Sequence, residues 1–336
     1  MANRQIRGSQ IPLLGTGGGT GGSVNYGTEL FWKLTEPPLS RPRRGISLLG
    51  ICPPLLGALL LAAAVSVVAS HAQTPLRVDV NLVSIFLTAQ NDRGEFITGL
   101  SSDDFRVYED GVEQKISIFE KEDQVESSIG ILIDNSGSMV DILPMTRDGI
   151  LQFARAFKRF DEFFVMTFGT RVRLLHDVRE PVQSLESKLK TLQARGTSVL
   201  FDALLDATRK SGRSEHARKA LIVFTDGNDN GSDAGYGEVS RAAQRSGVLL
   251  YFIPIGSRVL VDEHTLESLA TQSGGRVLYL RKTDPVPPAL DSIRTELAKQ
   301  YYLGYYAPRR PGFHTLRVEL TGKAARIRAK SGYFGG

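Results

Sequence analysis

The chain has 336 residues, more than one ordinary domain needs, with 41% hydrophobic and 23% charged residues, a globular balance. Its net charge of +5 does not mark a nucleic-acid binder: of 41 Lys and Arg and 36 Asp and Glu, six and two fall within residues 1–72, which leaves 35 against 34 in the rest. Cys52 is the only cysteine, and five scattered histidines show no HExxH spacing, which argues against disulfides, zinc ligation and Cys or His nucleophile chemistry.

Residues 1–45 read as a basic, Gly-rich tail without a core of its own. Arg41, Arg43 and Arg44 then precede an apolar stretch from Ile46 to Ala69, which Pro53 and Pro54 cut down to Leu55–Ala69. A spanning helix needs about 20 apolar residues, a signal-peptide core about 7–15. Ser70-His71-Ala72 supplies a small-x-small cleavage signature, so residues 46–72 read as a signal peptide cut near Ala72 and the mature protein as exported, periplasmic or extracellular. The alternative is a single-pass anchor through residues 46–69, with the remainder outside the cytoplasm. A lipid-anchor reading is weaker, because Ile51 precedes Cys52 where a small residue is needed.

Residues 76–123 are strand-rich. Val78–Val83, Phe105–Tyr108 and Gln114–Phe119 alternate with period two, and Asp92-Arg93-Gly94 and Glu109-Asp110-Gly111 read as turns between them. Residues 127–301 alternate strands and helices. Ile129–Ile133 is a strand buried on both faces. A helix over Leu143–Phe160 follows, then strands Phe163–Phe168 and Val172–His176, and helices Val182–Leu192 and Leu200–Lys210. Strand Ala220–Thr225, helix Glu238–Ser246, strand Val248–Ile255, helix His264–Thr271, strand Arg276–Leu280 and helix Pro288–Gln300 complete the series. Such alternation predicts an α/β fold with a doubly wound, mostly parallel, Rossmann-like sheet. Residues 302–336 return to strands at Thr315–Leu320 and Ala325–Arg328, too short to fold alone and suited to pairing with residues 76–123. Tyr301, Tyr302, Tyr305 and Tyr306 read as strand core and edge, and Arg326, Arg328 and Lys330 as a solvated strand face.

The chemistry concentrates where strands end. Ile131-Leu132-Ile133 runs into Asp134-Asn135-Ser136-Gly137-Ser138, and residues at i, i+2 and i+4 of extended chain project to one side. Strand Ala220–Thr225 runs into Asp226-Gly227, and Arg195-Gly196-Thr197-Ser198 lies just before a helix. Doubly wound sheets bind ligands at the carboxyl ends of their strands. Asp134, Ser136, Ser138, Thr197 and Asp226 together offer carboxylate and hydroxyl oxygens, hard donors that suit Mg²⁺, Mn²⁺ or Ca²⁺. Singly, each piece is an ordinary turn; the coincidence of three in order, each beside a buried element, points to metal. Thr197 is the softest assignment, because Ser198 adjoins it. Asp226–Gly231 also fits the first half of an EF-hand loop, but the twelfth position is Gly237 and a strand, not a helix, enters it.

Asp134-x-Ser136-x-Ser138, Thr197 and Asp226 resemble the metal-ion-dependent adhesion site of von Willebrand factor type A domains, in order and in strand-end setting. The resemblance covers about Ser127–Tyr301. With the flanking runs Asp103–Gly111 and Tyr302–Tyr306, the chain is similar to the von Willebrand A-related secreted proteins frequent in acidobacteria. The resemblance implies one short antiparallel edge strand, Val172–His176. It also implies that the serine hydroxyls bind the metal directly, the threonine directly or through water, and that the carboxylates often act through water. The partner implied is a protein with an exposed Glu or Asp carboxylate, or another anionic ligand. One rival function is a structural scaffold of an envelope complex, with the metal only stabilising loops. An aspartyl-phosphatase-like hydrolase fits less well, because it needs a second acid where Ser136 stands; a serine hydrolase lacks G-x-S-x-G.

Overall fold

The computed structural model describes residues 80–335 apart from 122–125, 156–161, 227–228, 257–261 and 323. The tail and the signal or anchor segment, residues 1–45 and 46–72, lie outside the described residues. Among the described residues no helix is long and apolar enough to cross a membrane. The α/β portion is built on strands β5 (Ser127–Asp134), β6 (Glu162–Phe168), β7 (Val172–His176), β8 (Arg218–Thr225), β9 (Leu249–Pro254) and β10 (Arg276–Val277). They lie in the order β10-β9-β8-β5-β6-β7, and every pair is parallel except β6–β7. The doubly wound sheet and its antiparallel edge strand thus stand where the sequence placed them.

β5 is fully buried, and its residues alternate between two cores. Ile129, Ile131 and Ile133 pack with helices α1 (Leu143–Arg155), α2 (Val182–Thr191) and α6 (Val286–Ala298), through Ile150, Leu185 and Ile293 among others. Leu132 faces the opposite layer, with α3 (Leu200–Ser211), α4 (Tyr236–Ser246) and α5 (Glu263–Ser273). Gly130 sits on that second face because nothing larger fits: a Cβ there would lie 2.3 Å from Phe164 Cζ and 2.6 Å from Leu221 Cδ2. The chain leaves β5 for β6 on one side and returns through β8 on the other. The crevice of a doubly wound sheet opens at that reversal, beyond the carboxyl end of β5.

The flanking segments form two further sheets. β1 (Val80–Gln90), β4 (Ile118–Glu120), β11 (Tyr301–Pro308) and β13 (Arg326–Ala329) make one, in the order β13-β1-β11-β4. β2 (Phe105–Glu109), β3 (Val112–Gln114), β12 (Gly312–Leu320) and β14 (Gly332–Gly335) make the other, in the order β14-β12-β2-β3. Both mix strands from before and after the α/β portion: β1 pairs antiparallel with β11 from Val80↔Pro308 to Leu87↔Tyr301, and β12 with β2 from Leu316↔Glu109 to Leu320↔Phe105. Ile85, Leu87, Phe105, Val107, Tyr301, Leu303 and Tyr305 fill a shared core between the sheets. The β1–β11 sheet is covered on its other face too. Phe86 and Tyr302 stack at 4.9 Å and join the core of the α/β portion.

Three local readings change. Gln114–Phe119 is not one strand. β3 and β4 belong to different sheets, and the chain crosses between them at Lys115–Ser117, where the Ser117 N–H donates to the Gly304 carbonyl. The regular part of Arg276–Leu280 is only Arg276–Val277, with Leu280 bridging to Ile255. Arg328 does not lie on a solvated face. Its guanidinium reaches Glu296, which is 1% exposed and also accepts from Arg276 and from the Tyr251 hydroxyl.

Candidate metal centre at the carboxyl ends of the sheet

Asp134 is the last residue of β5 and is fully buried. One carboxylate oxygen accepts the Ser136 N–H at 2.8 Å; the other accepts the Ser198 hydroxyl at 3.1 Å and the Thr225 hydroxyl at 3.0 Å. The bond to Ser136 folds residues 134–138 into a tight turn. Its hydroxyls converge, with Ser136 Oγ and Ser138 Oγ 3.1 Å apart. Ser136 is buried and Ser138 exposed, so the pair runs from the interior to the surface.

A second loop docks beside the first through its backbone. Arg195 N–H donates to the Asn135 carbonyl at 2.7 Å, Gly137 N–H to the Gly196 carbonyl at 3.1 Å, and the Asn135 side chain to the Gln193 carbonyl at 3.1 Å. These bonds set Thr197 and Ser198 next to Asp134 with opposite fates. Ser198 turns inward and is buried, whereas Thr197 is exposed. Asp226 follows β8 directly and is partly exposed. The loop beyond it is tied down by its own polar residues: Asn230 N–H donates to the Ser198 carbonyl, and Asp229 accepts from Phe201 N–H at the start of α3 and from the Ser232 hydroxyl. Asp229 therefore serves helix α3, and Glu238 caps the Gly235 N–H at the start of α4. Within the run read as a partial EF-hand, Asp229 thus serves a helix start.

Burial pushes the Asp134 carboxyl up to about 6, and the neighbouring Asp226 adds to the rise, against hydrogen bonds from Ser136 and Thr225. Among the described residues no Lys or Arg pairs with either carboxylate. Two carboxylates, the Ser136 and Ser138 hydroxyls and the exposed Thr197 thus lie on adjoining loops with, among the described residues, no protein cation to balance them. That donor set, all oxygen and partly neutral, fits a hard divalent cation. Sequence reasoning missed Ser198 and Thr225 as braces of Asp134. A hydroxyl one residue before Asp226 on a buried strand, and another beside Thr197, were the available signals.

Residues 128–290 match the family model of the von Willebrand factor type A domain. Integrin alpha-M of Mus musculus is 27% identical over 195 residues, which cover 53% of this chain and 16% of the integrin. Integrin alpha-X of Mus musculus is 29% identical over 173 residues, 44% of this chain and 13% of the integrin. The chain therefore spans about a sixth or less of the length of the curated relatives it matches. Among solved structures, a von Willebrand factor type A protein from Catenulispora acidiphila aligns with a TM-score of 0.46 and 14% identity, covering 69% of this chain and 75% of its own.

Proposed function

From the membership of residues 128–290 in the von Willebrand factor type A family, we propose that this chain is a metal-dependent binding module rather than an enzyme. Asp134, Ser136, Ser138, Thr197 and Asp226 would hold one divalent cation, Mg²⁺ or alternatively Mn²⁺ or Ca²⁺. The observation that carries this reading is the buried Asp134, fixed by three donors at the end of β5, with two serine hydroxyls converging beside it. A bound divalent cation supplies an electrophilic position open to an anionic oxygen, such as a Glu or Asp carboxylate on a partner protein. The chain's own residues do the rest. Ser198 and Thr225 hold Asp134 in one orientation, so the crevice is preorganised before any ligand arrives. Ser136 and Ser138 are neutral donors, which leaves charge on the cation for the ligand to satisfy. The setting proposed is outside the cytoplasm, after cleavage near Ala72 or on an anchor formed by residues 46–69.

The experiment is thermal unfolding of the protein with Mg²⁺, Mn²⁺ or Ca²⁺ added and then withdrawn with EDTA. At about 100 times its dissociation constant the cation should add about 2.7 kcal/mol. Asp134→Ala should abolish that increment. An unchanged melting curve with all three cations would sink the metal reading.

A further inference from the structure

Beside the loops that carry Asp134, Ser136 and Thr197 the surface opens into a cavity of about 470 Å³. Asn135 and Gly196 line it, so the cavity abuts the two loops that carry these residues, although none of the candidate ligands lines it. The other walls come from the turn after β6, from edge strand β7 and from the end of α2. Arg171, Arg173 and Arg195 line the cavity, all three exposed and none in an ion pair among the described residues. Lys188 also lines it but is committed to Glu180. No Asp or Glu is among the lining residues. The apolar part of the lining comes from the exposed Leu174 and the half-buried Leu175 and Leu192.

Unpaired arginines gathered in one concavity repel one another and gain from an anion that joins them. The guanidinium fork favours carboxylates held by paired hydrogen bonds. A cleft lined by one sign of charge also concentrates ligands of the opposite sign. The cluster is local, since residues 73–336 are close to charge balance. Two features favour a protein segment over a sulfated sugar or a nucleic acid. The leucines of the lining suit an aliphatic side chain, and β7 is the last strand of its sheet, the position at which an extended peptide can pair.

We infer that this cavity is the second half of a composite ligand site, which takes an extended acidic protein segment. One carboxylate of the segment reaches the cation position at Asp134, Ser136 and Ser138, and a neighbouring Asp or Glu pairs with Arg171, Arg173 and Arg195. The inference rests on the metal-dependent reading above and adds to it the kind of partner: a segment with closely spaced acids around an apolar residue, not a single carboxylate.

The test uses a labelled Glu-Leu-Glu-Leu-Glu peptide, titrated against the protein in Mg²⁺ and in EDTA, alongside Mg²⁺-induced thermal shifts. Wild type should bind the peptide in Mg²⁺ and lose it in EDTA. The triple variant Arg171→Ala, Arg173→Ala, Arg195→Ala should bind about tenfold more weakly, the sum of several exposed charge contacts. It should keep its Mg²⁺ thermal shift, which also shows that it folds. The corresponding triple Lys variant should recover only part of the affinity, because an ammonium restores the charge but not the paired hydrogen bonds. A triple Ala variant that binds like wild type overturns the inference, as does peptide binding that persists in EDTA. A heparin-derived oligosaccharide that outcompetes the peptide overturns the choice of a protein segment. If wild type shifts with Mg²⁺ but ignores the peptide, the composite site alone falls; if the Mg²⁺ shift itself is missing, the metal reading falls first.

Discussion

The Ser198 hydroxyl donates to Asp134 at 3.1 Å across 64 residues of sequence, while its neighbour Thr197 stays exposed. The two adjacent hydroxyls therefore have separable jobs. Ser198→Ala should remove a buried hydrogen bond and lower the stability of the metal-free protein by about 1 kcal/mol. It should also weaken metal binding roughly 10- to 100-fold, as loss of a group that orients a ligand does. Thr197→Ala should leave metal-free stability within about 0.5 kcal/mol of wild type and lower only the metal affinity. Denaturant melts and Mg²⁺ titrations of both variants check this; equal behaviour in the two would refute the division of roles.

Glu296 is the second buried acid with a large consequence. It lies on α6, accepts from Tyr251 of β9 and from Arg276 of β10, and holds Arg328 of β13 at 3.0 Å. It thus ties the α/β portion to the sheet formed by the flanking segments. Removing one partner of a buried charge network leaves the others unpaired, at about 3–5 kcal/mol. Glu296→Ala should cost that much in urea unfolding, whereas Arg326→Ala, an exposed position on the same strand, should cost under about 0.5 kcal/mol. A Glu296→Ala midpoint close to wild type would show that the network contributes little.

How much of this was readable in the sequence depends on the range of the interaction. The strands of the α/β sheet are local signals, apolar runs such as Ile129–Ile133 bounded by turns, and they were legible apart from the extent of β10. So was the grouping of Asp134, Ser136 and Ser138, because they sit within one turn. The two-layer β portion was legible only in part. Val78–Val83 announced β1, but its continuation through Ile85, Phe86 and Leu87 loses the period-two signal because that stretch is covered on both faces. Gly332–Gly335 gave no strand signal at all: a Cβ at Gly332 would fall 2.4 Å from the Phe313 ring, a constraint only the partner strand reveals. Arg328 looked solvated because its partner, Glu296, is remote in sequence. The basic cavity was invisible for the same reason, since Arg171 and Arg195 meet only through the packing of two loops.

The sandwich of flanking strands carries a pH dependence of its own. His314 directs one ring nitrogen at Asp110, 2.7 Å away, and the other at the Arg310 carbonyl, 3.0 Å away. Both contacts are acceptors, so the doubly protonated ring is the one they satisfy. The Asp110 hydrogen bond, aided by the Arg310 carbonyl, holds His314 above its ordinary value, and His314 in turn holds Asp110 below its own. The His314 contribution is complete below the unfolded pKa of about 6.5 and is lost as pH rises through the folded value. The Asp110 contribution is present above its unfolded value and lost in acid as pH falls through its lowered one. His176, which burial holds below its ordinary value, acts in the opposite sense near neutrality. The measurement is therefore the difference between wild type and His314→Gln. That difference should shrink as pH rises from about 6 to about 8, and a pH-independent difference would remove the imidazolium from the account.

Gly196 ties its loop to the turn between Ser136 and Ser138, and its replacement tests the geometry of that turn. It sits at φ +85°, where an L side chain is strained, and a Cβ there would lie 2.0 Å from Thr170 Oγ1. Its carbonyl accepts the Gly137 N–H, which fixes the turn between Ser136 and Ser138. Gly196→Ala should then cost about 1–2 kcal/mol from backbone strain alone, before the clash is counted. Because the loop must shift to make room, Thr197 and the turn at Gly137 should move with it, and the Mg²⁺ increment in melting should shrink. Adding Thr170→Ala should relieve the contact but not the strain. The double variant should regain part of the stability and stay below wild type. If Gly196→Ala matches wild type in both stability and Mg²⁺ increment, then Gly196 does not hold the Ser136–Ser138 turn in place.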